Sequence, residues 1–162
     1  MGLSEVSNIL WQERQLLELL LFKLEEEQLV LASGRSRWLN HATREVEMVL
    51  EEIKRAEVAR AMEVDAAAAE LGLPSGPSLR QLAEASDAPW TGILDQHRRA
   101  FLTITQEILA LAQVNRDLLT RGARATHEAL AWLGDGDPAV YSQTGVSSVT
   151  RAAGPRLVNE AL

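Results

Sequence analysis

His41, His97 and His127 are the residues best suited to ligate a metal or to move a proton near neutral pH. They stand far apart, and none follows a Glu by three residues, the spacing through which a di-iron bundle presents its ligands. There is no cysteine, which removes thiolate nucleophiles, cysteine metal sites and a disulfide framework together. A Ser-His-Asp arrangement needs no fixed spacing in sequence, but no nucleophile elbow, Gly-rich phosphate loop or isolated acidic pair accompanies the histidines. No catalytic residue, metal or other cofactor is therefore expected, and the chain reads as a protein that is not an enzyme.

The remaining polar residues fit helix surfaces. Glu25-Glu26-Glu27 and Glu51-Glu52-Ile53-Lys54-Arg55 read as solvated charge with pairing between successive turns, with a basic partner patch as the sharper alternative. A net charge of −7 and a pI near 5.0 work against nucleic acid, whose binding begins with a Lys/Arg footprint. The stretch from Ser78 to Thr91 superficially resembles a helix-turn-helix reader, but beyond Arg98-Arg99 the following helix lacks basic residues.

The elements that position these residues are helices. The chain has 162 residues, 46% hydrophobic but only 4% aromatic, dominated by Leu, Ala, Glu and Arg, which predicts one all-α domain. From Leu3 to Ala32 no Gly or Pro occurs, and apolar residues return at Leu3, Val6, Leu10, Leu17, Leu20, Leu24 and Leu31, the spacing of a first long helix. Leu16, Leu17, Leu19, Leu20, Leu21 and Phe22 cannot share one stripe, so two neighbours or a partner must cover its middle. Ser33-Gly34 is a stop, and Ser36 is the expected cap of a second helix through Trp38, Leu39, Ala42, Val46, Val49, Ile53 and Ala56, antiparallel to the first. That helix closes at Leu71-Gly72-Leu73-Pro74, a linker runs to Pro77, and Leu79 to Ala85 form a short helix across a bundle end.

Asp87 and Pro89 open a third long helix that lasts to about Leu133 and exceeds about 60 Å at about 1.5 Å per residue. Its seam is Leu94, His97, Phe101, Ile104, Ile108, Leu111, Asn115, Leu118, Gly122, Ala125, Ala129 and Trp132, a sustained alternation of threes and fours. The first half is bulky and the second thin, so the second half either packs very closely or leaves a groove for a borrowed helix. His97 on this seam is a core or interface histidine. Asn115 either fixes register and partner choice or makes a hydrogen bond within the bundle. Trp11, Trp38, Trp90 and Trp132 lie near helix ends as plugs over the core, and Trp132 is the one expected to touch a partner.

Met1-Gly2-Leu3-Ser4-Glu5-Val6 lacks the basic and apolar regions of an export signal, and no apolar run is long enough to span a membrane. Residues 1–134 are expected to form a helical bundle domain. Residues 135–162, rich in Gly, Ser, Thr and Pro, are expected to be a flexible or partner-ordered tail.

Three stretches in order resemble the FlgN family of flagellar export chaperones. Leu16-Leu17-Glu18-Leu19-Leu20-Leu21-Phe22-Lys23-Leu24-Glu25-Glu26-Glu27 looks like the family's Leu/Glu-rich first helix. Asn115-Arg116-Asp117-Leu118-Leu119 is similar to the Asn-containing stretch of its last long helix, and Tyr141-Ser142-Gln143-Thr144-Gly145 to the opening of its tail. The resemblance covers nearly the whole chain. It implies a cytoplasmic chaperone, a monomer or weak dimer when free, that binds the C-terminal helices of hook-filament junction (hook-associated) proteins, prevents their premature assembly and delivers them to the flagellar export gate. It places Asn115, Leu118 and Leu119 in the stretch that receives the client and Tyr141 in gate docking. The seam adds Leu111, Gly122, Ala125, Ala129 and Trp132 as partner-binding candidates. A longer tail ending Pro155-Arg156-Leu157-Val158-Asn159-Glu160-Ala161-Leu162, and the linker with its short helix, depart from the family pattern. The competing reading is a self-associating coiled-coil structural or adaptor protein with no flagellar client; a regulator acting through Ser78 to Thr91 is a weaker one.

Overall fold

The computed structural model describes residues 2–133. They form three long helices and one short one: α1 (Gly2–Ala32), α2 (Leu39–Glu70), α3 (Leu79–Glu84) and α4 (Trp90–Leu133), with a 3-10 turn at Ser36–Trp38 between α1 and α2. No strand occurs among the described residues, and no described helix is long and apolar enough to cross a membrane.

The punctuation acts largely as its chemistry dictates. At the end of α2, Gly72 adopts a φ of 71°, its N–H donates to the Ala69 carbonyl at 3.2 Å, and the Leu73 N–H donates to the Ala68 carbonyl at 2.8 Å. These two bonds satisfy carbonyls that the helix end leaves open, in a conformation that a side chain would disfavour. Ser78 caps α3 through a reciprocal pair: its Oγ accepts from the Gln81 N–H at 3.2 Å, and Gln81 Oε1 accepts from the Ser78 N–H at 2.9 Å. Ser36 behaves otherwise. It is drawn into the 3-10 turn, α2 begins three residues later at Leu39, and no side chain caps it. A tight turn of this kind satisfies a helix start through the backbone, so the expected serine cap is not required.

α2 runs antiparallel to α1. Lys23 pairs with Glu45 at 3.0 Å near one end, and Gly2 lies against Ala67 at the other, close enough that a Cβ there would come within 3.1 Å of the Ala67 Cα. α4 runs parallel to α1, since Ser7 meets His97 and Leu24 meets Asn115. The core between them holds Val6, Leu10, Leu17, Leu20 and Leu24 of α1, Val46, Val49, Ile53 and Val64 of α2, Leu79 and Leu82 of α3, and Leu94 and Phe101 of α4. Of the tryptophans expected to plug this core, Trp11, Trp38 and Trp132 are exposed and Trp90 is half-buried. The core is closed instead by aliphatic side chains, which the narrow interhelical space accepts more readily than indole rings.

Candidate functional site

Three polar contacts cross the apolar seams and fix the helices against one another. Near the start, the Ser7 hydroxyl and His97 Nε2 lie 3.2 Å apart, and the Trp11 ring meets the imidazole edge-on at 5.1 Å. Burial holds the His97 pKa below its ordinary value, with the nearby Arg14 charge adding to the effect. This is the core histidine that its seam position predicts.

In the middle, Glu13 Oε1 and Arg60 Nη1 form a fully buried ion pair at 3.2 Å, with the guanidinium 5.9 Å from the Phe101 ring centre. Loss of water pushes the Glu13 pKa up to about 7, against the opposing attraction of Arg60 and with a smaller push from Glu57. Neither residue stands out in sequence as buried, although Glu13 lies between Leu10 and Leu17 on the α1 seam.

Near the hairpin end, one carboxylate ties three helices together. Glu27 Oε2 accepts from Thr43 Oγ1 of α2 at 3.1 Å, and Glu27 Oε1 accepts from Asn115 Nδ2 of α4 at 3.0 Å. Asn115 Nδ2 also donates to the Leu24 carbonyl at 2.9 Å. Asn115 is buried, and of its two sequence readings the bond within the bundle is the one formed. Glu27, read from sequence as part of a solvated acidic face, is only 6% exposed. The correction has a simple cause: Glu27 follows Leu20 and Leu24 on the inward stripe, so helical geometry turns it inward while Glu25 stays in water.

This layer marks where α4 leaves its partners. Contacts between α1 and α4 pair residues about ninety apart, so Ala32, the last residue of α1, stands level with about residue 122 of α4. Leu111 and Leu118 are half-buried, and every residue of 119–133 is exposed. Gly122, Ala125, Ala129 and Trp132 thus lie on a stretch that packs against nothing among the described residues, and Trp132 is 89% exposed. The thin part of the seam overhangs the bundle. Leu119, Leu130 and Leu133, none of them a seam position, add exposed apolar surface. Tyr141 lies outside the described residues.

No group of three or more His, Asp or Glu among the described residues is arranged to hold a metal. The surface depressions are open, shallow and lined by mixed residues, as at Leu29, Val30, Ser33, Arg35 and Trp38 beside the hairpin turn. What the arrangement can do is present an amphipathic helix end, without a neighbour among the described residues, on a bundle crossed by buried polar bonds.

Among the described residues the site is thus an all-α scaffold that leaves the end of one long helix uncovered. A family model, FlgN protein, matches residues 1–148, and the chain belongs to the FlgN family, a family of flagellar export chaperones. No curated protein and no solved structure matches it.

Proposed function

We propose that this flagellar export chaperone works in the cytoplasm, holding the C-terminal helices of hook-filament junction proteins on the overhanging end of α4. The observation that carries this reading is that all of 119–133 is exposed while the helix remains amphipathic through Leu119, Leu130 and Leu133. An amphipathic helix whose apolar side lacks a neighbour is completed by another amphipathic helix laid along it.

Leu111, Leu118 and Leu119 lead the client from the bundle onto the overhang, and Gly122, Ala125 and Ala129 let its backbone approach closely. Trp132 supplies a large anchor at the far end. Asn115 acts by position, keeping α4 in the register that makes the overhang available. While covered, client helices cannot assemble with one another. Delivery to the export gate then involves the tail with Tyr141, and the chaperone carries out no chemistry of its own.

Light scattering on size-exclusion peaks tests the reading, using the full chain alone, with a junction protein from the same genome, and with that protein lacking its C-terminal helix. A complex formed only with the intact client supports it. A stable homodimer that ignores both forms overturns it in favour of a self-associating coiled coil.

A further inference from the structure

The charges around the overhang differ from those of the rest of the chain. Of the cations elsewhere among the described residues, Lys23, Lys54, Arg55, Arg60, Arg80, Arg98 and Arg99 each have a carboxylate within 4.0 Å, while Arg44 and Arg14, which lies over the Trp11 ring, have none. Beyond the Glu27–Thr43–Asn115 layer the pattern reverses. Residues 28–42 and 116–133, which make up the hairpin tip and the overhang, hold Arg35, Arg37, Arg116, Arg121 and Arg124 against only Asp117 and Glu128, in a chain of net charge −7. None of these five arginines has a carboxylate within 4.0 Å among the described residues. Asp117 is engaged by Gln113 at 2.9 Å, and Arg37 lies over the exposed Trp38 ring at 4.8 Å.

We propose that the occupant of the α4 overhang is an amphipathic helix carrying carboxylates beside its apolar stripe, steered and oriented by the unpaired arginines of this end. The proposal rests on the helix-holding reading above and adds the partner's chemistry to it. Apolar contact with Leu119, Leu130 and Leu133 supplies the adhesion, while opposite charges at the rim raise the association rate and disfavour wrong partners. A second copy of this chain is a poor occupant, because two such ends would bring arginine against arginine. A nucleic acid would leave the apolar side of the helix uncovered.

Three synthetic helical peptides test this by fluorescence polarisation with the full chain. They share one Leu/Ala stripe and carry Glu, Gln or Lys at the positions beside it. The Glu peptide is expected to bind about tenfold more tightly than the Gln peptide and the Lys peptide more weakly still, with the spread narrowing as salt rises from about 0.05 to about 0.5 M. Arg121→Glu with Arg124→Glu is expected to invert the order, circular dichroism confirming that the variant remains helical. The salt series on the unaltered chain gives the same answer without a variant. Equal binding of the three peptides, or an order insensitive to salt, overturns the charge proposal. Leu130→Asp with Leu133→Asp separates the two readings. If it abolishes binding of peptides that bind alike, helix holding stands and only the charge proposal falls; if it changes nothing, or no peptide binds, both fall.

Discussion

The two halves of α4 follow one sequence rhythm and meet opposite fates. From Leu94 to Asn115 the helix buries Leu94, His97, Phe101 and Thr105, with His97 beside Ser7 of α1 and Asn115 bonded to Leu24 and Glu27. From Leu119 to Leu133 the same threes and fours run on in open solvent. Periodicity states which side of a helix is able to pack; whether a neighbour is there depends on where the other helices end. Here α1 stops at Ala32 and the hairpin turns back, so α4 continues about 18 Å beyond it, at about 1.5 Å for each of some dozen residues.

The largest effects separating the halves come from truncating bulk. Phe101→Ala is expected to cost about 3–5 kcal/mol in urea unfolding, because it empties a fully buried ring site. Leu133→Ala, at a position 79% exposed, is expected to change stability by less than about 0.5 kcal/mol. Comparable losses from the two would erase the distinction.

The buried ion pair gives the next effect. Arg60→Met alone leaves Glu13 buried without its counter-charge and is expected to cost about 3 kcal/mol or more, whereas Glu13→Leu with Arg60→Met is expected to be near neutral. The pH dependence has a definite sign. A carboxyl whose pKa rises from 4.5 to about 7 on folding binds a proton more readily in the folded state, so its burial penalty is present above pH 7 and relieved as pH falls towards 4.5. The Glu13 contribution to stability therefore increases on acidification, and the double variant is expected to lose that part of the pH profile. His97 works the other way, since its lowered pKa makes protonation below about 6.5 unfavourable to the fold. Parallel profiles for the unaltered chain and the double variant would contradict the assignment to Glu13.

A smaller loss is expected at the boundary itself. Asn115→Ala removes the donor to Leu24 and Glu27 and is expected to cost about 1–3 kcal/mol by chemical denaturation. If it costs nothing, the polar layer does not hold α4 in register. Ser78→Ala, which deletes one half of the α3 capping pair, is expected to cost about 1 kcal/mol and to leave the overhang as it is.

Much of this architecture was legible beforehand, because Gly34, Gly72 and Pro74 break the chain where helix geometry has to end, and the intervening apolar spacing has the helical period. The family was legible from the order of three stretches, none of them distinctive alone. The polar layers were not, because Glu13, Glu27 and Arg60 belong to residue types that normally stay in water. A signal existed: Glu13 and Glu27 interrupt a run of inward leucines at the required spacing. Arg60 likewise sits seven residues after Ile53 and four before Val64. The overhang was half visible. Gly122, Ala125 and Ala129 announced a thin surface, but only the relative lengths of α1 and α4 decide whether it faces a helix or water.

Amide hydrogen exchange on the full chain, with and without a hook-filament junction protein, tests the central claim most directly. The account predicts that amides of 119–133 exchange quickly in the free protein and become strongly protected in the complex, while those of 94–115 are protected in both. Protection that appears instead on the outer side of α2, around Val58 and Met62, with 119–133 unchanged, would contradict it.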